Sequence, residues 1–408
     1  MLYLLANWCD SFSPLRLFGY VSFRAFGALV TSFLIVMLLA PRILKILKRH
    51  YNVSAGRYDG LFEEKYIDRS KEKTPSMGGF LIVGSIIISS VLWCELINPI
   101  ALVSIYFVFF LMMIGFLDDY LKLKMARVNT KCEIETRMRV EADPAHKMEI
   151  EAAAKAAKEK RGRGGLPAMQ KMLLQFLVTG SVFLFLDTLP GTKDYLQQLW
   201  LPFVSPYIWM SPWVLVISTV SVVFFSNAVN LTDGKDGLAS GVTIFCTFAF
   251  IIIAYLTGHL VYSKYLGLPY IAGCAETVVF GAAMIGSCTG FLWFNCYPAS
   301  MFMGDTGSLP LGGAIGLIAV LVRQEGLLLI AGGVFVIEGL SVLMQVCSYK
   351  LFKKRIFLCT PIHHHFERKG WPETKIIVRF WILSGICALL ALATLKIRFF
   401  VDWDNLLK

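Results

Sequence analysis

Carboxylates and amides standing at the ends of apolar runs are the residues of this chain best placed to do chemistry. Asp118 and Asp119 close the run Ala101 to Leu117, side by side where hydrocarbon would give way to headgroups. Asn227, Asn230 and Asp233 follow the run Val214 to Phe225 at intervals of three, which on a helix puts them near one face. Gly234 and Gly237 then bracket Lys235 and Asp236 and let the chain turn. Asn295 and the segment Met301-Phe302-Met303-Gly304-Asp305 follow Thr277 to Phe294, with glycine giving backbone room for a bulky ligand. Five acids on one face, Asp118, Asp119, Asp233, Asp236 and Asp305, repel one another and demand a counter-charge. Mg²⁺ suits that demand, because it takes oxygen ligands and binds through one or two carboxylates together with substrate phosphates.

Other groups could serve an anionic ligand. His363, His364 and His365 are consecutive, so on a helix they cannot all face one ion; hydrogen bonds to phosphate, or the orientation of a carboxylate, fit them better. Lys71, Lys73 and Thr74 form a basic entry to the run that starts at Phe80. No Cys and His set has zinc-ligand spacing, and the ten cysteines, mostly inside apolar runs, read as packing residues. Glu338, the one clear acid inside a run, reads as a lone helix-packing contact.

The elements that must position these groups are membrane helices. Of 408 residues 56% are hydrophobic and 16% charged, and the mean hydropathy is +0.64, too apolar for an ordinary soluble domain. Ten runs recur, at Leu29 to Ala40, Phe80 to Leu92, Ala101 to Leu117, Met172 to Leu186, Val214 to Phe225, Gly241 to Leu256, Thr277 to Phe294, Gly312 to Val322, Leu327 to Val346 and Phe380 to Leu395. With their flanks, each approaches the roughly 20 residues that cross the hydrocarbon as a helix. The expected fold is an all-α integral membrane protein, one polytopic domain over 1–408, a bundle of about ten transmembrane helices with cytoplasmic active-site loops. The gaps carrying the acids hold 30 of the 39 Lys and Arg, so the positive-inside rule makes that face cytoplasmic. The net charge of +11 therefore points to anionic lipid and substrate rather than nucleic acid, for which no module is present. The start of the chain lacks the pattern of a removable signal peptide. The longest gap contains a charged stretch, 132–164, in which Met148 to Lys160 should form a solvated helix.

Taken end to end, the chain resembles the phospho-N-acetylmuramoyl-pentapeptide transferases, within the polyprenyl-phosphate N-acetylhexosamine-1-phosphate transferases. The resemblance is carried by TPSMGG, FLDDYLK, NAVNLTDGKDG, FLWFN, FMGDTGSL and PIHHHFERKGWPE, and the three histidines point to the muramoyl-pentapeptide branch. It implies a reaction of UDP-MurNAc-pentapeptide with undecaprenyl phosphate, giving lipid I and UMP, in the bacterial cytoplasmic (inner) membrane, with the active site on the cytoplasmic face. It also implies a homodimer. Carried onto matching positions, it makes Asp305 the Mg²⁺ ligand and Asp118 the group that handles the lipid phosphate. Asp119, Asn230, Asp233 and His363 complete the catalytic set, and His364 and His365 lie on the substrate side. Uridine recognition maps to Asp236, Asn295 and Phe302, and phosphate or uridine contacts to Lys71, Lys122 and Lys131. The stretch 132–164 interrupts the resemblance between Lys131 and Gly165 and reads as either a lineage-specific partner surface or a tolerated insertion, the latter favoured. A transporter and a sister transferase acting on UDP-GlcNAc are the competing readings, and a covalent phospho-aspartyl intermediate is the competing mechanism.

Overall fold

The computed structural model describes residues 1–8, 13–50, 74–142, 146–148, 150, 152–153, 164–189, 192–203, 208–209, 213–395 and 397. Ten apolar helices account for most of them: α1 (Val21–His50), α2 (Gly79–Trp93), α3 (Pro99–Ala142), α4 (Ala168–Thr188), α5 (Trp213–Thr232), α6 (Leu238–Thr257), α7 (Ala275–Asn295), α8 (Asp305–Leu321), α9 (Gly333–Phe352) and α10 (Glu373–Thr394). Each contains one of the ten runs, or most of it, so the all-α membrane fold expected from the sequence is the fold observed. Eight are long and apolar enough to cross a membrane, whereas α2 and α8 are shorter. Short helices at Lys193–Leu196, Leu260–Leu266, Glu325–Ala331 and Ile362–Arg368 connect them, with one antiparallel strand pair, Gln198–Leu199 and Ile208–Trp209.

The centre of the bundle is α8, whose residues are all buried. It packs chiefly against α5 and α3, and also against α2 and α6. Helix α7 forms a second centre, clasped by α1, α6 and α2. Both depart from the amphipathic pattern of a surface helix because they meet neighbours on every side.

Two elements differ from the sequence reading. The ninth run is not one helix: the chain breaks between Glu325–Ala331 and α9 at Gly332, where two adjacent glycines weaken the helix and the Phe225 ring presses against the backbone. Helix α3 does not end with its apolar run but continues to Ala142, because 118–142 contains good helix formers and neither Gly nor Pro. The first eleven residues of the 132–164 stretch thus belong to α3; the helix expected over Met148 to Lys160 lies largely outside the described residues.

At the end of the bundle where α1 and α7 begin, Arg24 and Glu276 form a buried two-pronged ion pair at 2.7 and 2.9 Å. The Glu95 N–H donates to the same carboxylate at 2.8 Å. Near the far end of α8, Arg323 pairs with Glu325 at 2.8 Å and donates to the Gln198 carbonyl. Removing one partner of such a pair strands a buried charge. Arg24→Met should accordingly lower the thermal midpoint in detergent, at a cost of about 3–5 kcal/mol, and Arg24→Met with Glu276→Leu should recover most of the loss; midpoints of the three proteins decide it.

Candidate active site

At the opposite end of α7 and α8 the acids gather. Asp118 and Asp119 lie on α3, and Asp305 is the first residue of α8. Two glycines let these helices meet. A Cβ on Gly115 would sit 2.2 Å from the Asp305 carbonyl oxygen, so only a bare backbone allows α3 and the start of α8 this close. Gly304, at φ +73°, takes the left-handed turn into α8, and a Cβ there would lie 2.7 Å from Asp119 Oδ2. The outcome is a cluster in which carboxylate oxygens of Asp118, Asp119 and Asp305 lie within 4.8 Å of one another.

The three acids are not equivalent. Asp119 Oδ2 accepts from the Thr306 N–H at 2.9 Å and the Thr306 hydroxyl at 2.7 Å, so this carboxylate caps α8 and places an anion at its positive end. Asp118 Oδ1 accepts from the Leu166 N–H at 2.7 Å, which fastens the chain entering α4 to α3. Asp118 Oδ2 and Asp305 Oδ2 share two ammonium groups. Lys122, one turn beyond Asp118, lies 2.5 Å from Asp118 Oδ2 and 3.2 Å from Asp305 Oδ2. Lys171, in the first turn of α4, lies 2.8 Å from Asp305 Oδ2 and 3.9 Å from Asp118 Oδ2. Asn230 donates to Asp305 Oδ1 at 2.9 Å and to Ser308 Oγ at 2.8 Å, fixing the last oxygen of the set. Three acids against two lysines leave one negative charge over, and the donors are all oxygen, a set that could hold a divalent cation.

Only three of the five expected acids meet here. Asp236 is buried and turned aside, its Oδ2 accepting from the Ala299 N–H at 2.9 Å. Asp233 stands half-buried at the end of α5, outside the cluster. Asn227 bonds to Gln175 of α4 at 2.7 Å. Asn295 accepts from the Gly237 N–H at 3.0 Å and donates to the Met301 carbonyl at 2.8 Å. Phe302, whose N–H donates to the Pro75 carbonyl at 2.9 Å, is buried in the same loop. Asp236, Asn295 and the backbone of Phe302 thus hold the 296–302 loop between the start of α2 and the turn before α6. Thr74 reaches that loop through the Ala299 carbonyl at 3.4 Å. Lys131 is exposed, nine residues past Lys122, or roughly 13 Å further along α3; the unbroken helix carries it away from the cluster. Lys71 and Lys73 lie outside the described residues.

The histidines divide as their consecutive positions require. His363 is fully buried with Nδ1 3.1 Å from both oxygens of Glu338, so Glu338 is not the lone packing contact that the sequence suggests. His364 bonds to Glu367 at 2.8 Å, and Glu367 in turn pairs with Lys235. His365 accepts from the Leu358 N–H at 3.1 Å and belongs to its own loop. The residue that sequence reasoning missed is Lys171: a single lysine entering an apolar run looks like an ordinary membrane flank, and its only signal was its place just past Pro167.

Residues 163–323 match the glycosyl transferase family 4 model, an interval that holds Lys171, Asn230 and Asp305. A protein from Desulfotalea psychrophila described as a phospho-N-acetylmuramoyl-pentapeptide-transferase is 40% identical over 97% of this chain and 99% of its own length. Proteins of the same description from Thermodesulfovibrio yellowstonii and Pelobacter propionicus are each 41% identical over 98% of this chain, and over 100% and 99% of their own lengths.

The pair at the histidine helix makes stability depend on pH. Burial, helped by His363 and Lys235 nearby, lowers His364 from 6.5 to about 4. Burial would raise Glu367, but the hydrogen bonds from His364 and Lys235 outweigh it and pull this carboxyl from 4.5 to about 2. Below pH 6.5 the unfolded chain therefore takes up a proton at His364 that the folded chain refuses until about pH 4. The Glu367 contribution, complete above 4.5, is lost towards pH 2. Thermal midpoints should fall as pH drops from 6.5 to 4, and His364→Asn should flatten that limb.

Proposed function

The chain belongs to the phospho-N-acetylmuramoyl-pentapeptide-transferase family, and from that premise we propose that its carboxylate and lysine cluster is where phospho-MurNAc-pentapeptide passes from UDP-MurNAc-pentapeptide to undecaprenyl phosphate. The bond between the two phosphates of the nucleotide breaks, UMP leaves, and an oxygen of the lipid phosphate forms the new diphosphate of lipid I. The observation that carries this reading is the cluster itself: three carboxylates within 4.8 Å and two ammonium groups, at one end of a bundle of membrane helices. A lipid phosphate and a soluble nucleotide can meet only at such an end.

Phosphoryl transfer asks a protein for position and charge neutralisation more than for covalent help. Asp118, Asp119 and Asp305 are the residues that would hold Mg²⁺, with Asp305 as its principal ligand. Bound there, Mg²⁺ supplies neutralisation of the diphosphate and of the charge that develops on departing UMP. Asn230 keeps one Asp305 oxygen fixed and leaves the other for that purpose. With a cation held by the three carboxylates, Lys122 and Lys171 would be free to donate to phosphate oxygens. Asp118 is assigned to the lipid-phosphate side on the family likeness; a phosphate whose second pKa is about 6 is mostly a dianion at neutral pH, so no strong base is required.

On the nucleotide side, the loop tied down by Asp236 and Asn295 sets the place of Phe302, against which the uracil ring packs, while Asp233 is assigned to the catalytic set on the family likeness. Lys71, Lys73, Thr74 and Lys131 are assigned to substrate contacts, and His364 and His365 to the pentapeptide-sugar side, on the family likeness alone. The preponderance of Lys and Arg in the gaps on this side supports a cytoplasmic site in the bacterial inner membrane. Assembly as a homodimer belongs to the same reading.

Purified protein should release UMP only when given the nucleotide sugar, the lipid phosphate and Mg²⁺ together. Asp305→Ala and Lys171→Ala should each lower kcat by about 10²–10³-fold, the range for loss of one electrostatic stabiliser. Release without lipid phosphate, or full rates in Asp305→Ala, would refute the assignment.

A further inference from the structure

Glu338 is fully buried on α9, and its neighbour Gly339 packs on Phe224 and Ala228 of α5. It therefore stands beside the half of α5 that leads to Asn230 and the site. Both its oxygens lie 3.1 Å from Nδ1 of His363, which is itself fully buried. A carboxylate only accepts, so Nδ1 carries the hydrogen, and Glu338 sets both the tautomer and the orientation of the ring.

That orientation leaves Nε2 buried with no hydrogen-bond partner among the described residues. Nε2 is aimed at the turn after Asp233: a Cβ on Gly234 would lie 2.4 Å from it. The other groups around the ring are engaged elsewhere. His364, with its ring centroid 4.2 Å away, bonds to Glu367, and Lys235 pairs with Glu367 and Glu373. A buried ring nitrogen facing a glycine turn beside Asn230 and Asp233, with every neighbouring polar group already paired, is a group held ready for a ligand.

We propose that Glu338 is a positioning residue for the transfer: it holds His363 so that Nε2, an acceptor in this tautomer, is presented across Gly234 to a hydroxyl of the nucleotide-sugar substrate. The proposal rests on the transferase reading. Glutamate suits the task because neither of its oxygens can donate. A glutamine at this place could turn its amide towards Nδ1, which then becomes the acceptor and moves the hydrogen to Nε2.

Glu338→Gln is nearly isosteric and separates this role from packing. It should keep the wild-type thermal midpoint and lower kcat by about 10–100-fold, as loss of a partner that orients a functional histidine does, while KM changes less. Glu338→Gln combined with His363→Ala should be no slower than His363→Ala, since the glutamate acts only through the ring. Nitrogen-15 spectra of the histidine-labelled protein, read without substrate, should show the Nδ1–H tautomer at His363 in the wild type and a shift towards Nε2–H in Glu338→Gln. Wild-type kcat in Glu338→Gln, losses that multiply in the double variant, or an Nε2–H tautomer in the wild type would each overturn the proposal. A wild-type protein that releases no UMP would overturn the transferase reading and this role with it, whereas wild-type release with an indifferent Glu338→Gln overturns the role alone.

Discussion

Three carboxylates held within 4.8 Å of one another, where an apolar helix bundle ends, repel one another and resist desolvation, and much of the surrounding structure answers that problem. Asp119 is relieved by the positive end of α8, Asp118 by a backbone N–H, and Asp305 by an amide and an ammonium. The close approach that creates the repulsion is itself built in. Gly115 brings α3 against the first residue of α8, and Gly304 gives the turn that aims Asp305 inward. An arrangement that concentrates negative charge and sets two lysines against it is suited to a ligand that brings a cation and phosphates together.

Around that cluster, polar side chains serve mainly to fasten loops. Asp236 and Asn295 spend their oxygens on backbone N–H groups, and the Phe302 backbone bridges to Pro75 and Gly78. Lys235 ties the turn before α6 to the histidine helix through Glu367 and to the start of α10 through Glu373. The loops therefore meet as a braced wall over the ends of α5, α7 and α8. The opposite end carries its own buried ion pairs, Arg24 with Glu276 and Arg323 with Glu325. Charge is thus confined largely to the two ends of the bundle, as the energetics of hydrocarbon require.

The sequence made the membrane fold and the heart of the site legible for one reason: ionisable residues next to long apolar runs are costly, so their places carry information. Asp118, Asp119, Asn230 and Asp305 were found that way and do converge. Lys171 was hidden because a lysine at the edge of an apolar run is ordinary. Asp236 and Asn295 resemble ligand groups in sequence, but which way a side chain turns depends on the backbone donors that folding brings near, here those of Ala299 and Gly237. The Glu338 and His363 pair joins two elements across the irregular loop after α9, and no periodicity predicts a contact of that kind. The continuation of α3 past Asp119 was missed because charge ends a membrane span without ending a helix.

The central claim is that the three carboxylates hold one divalent cation against the substrate's diphosphate. Electron paramagnetic resonance of Mn²⁺, which favours the same oxygen donors as Mg²⁺, tests it directly on the purified protein. One bound Mn²⁺ per chain, lost in Asp305→Asn, with phosphorus coupling appearing when UDP-MurNAc-pentapeptide is added, is the expected result. Mn²⁺ binding that survives Asp305→Asn, or bound metal that shows no phosphorus coupling with the nucleotide present, would contradict it.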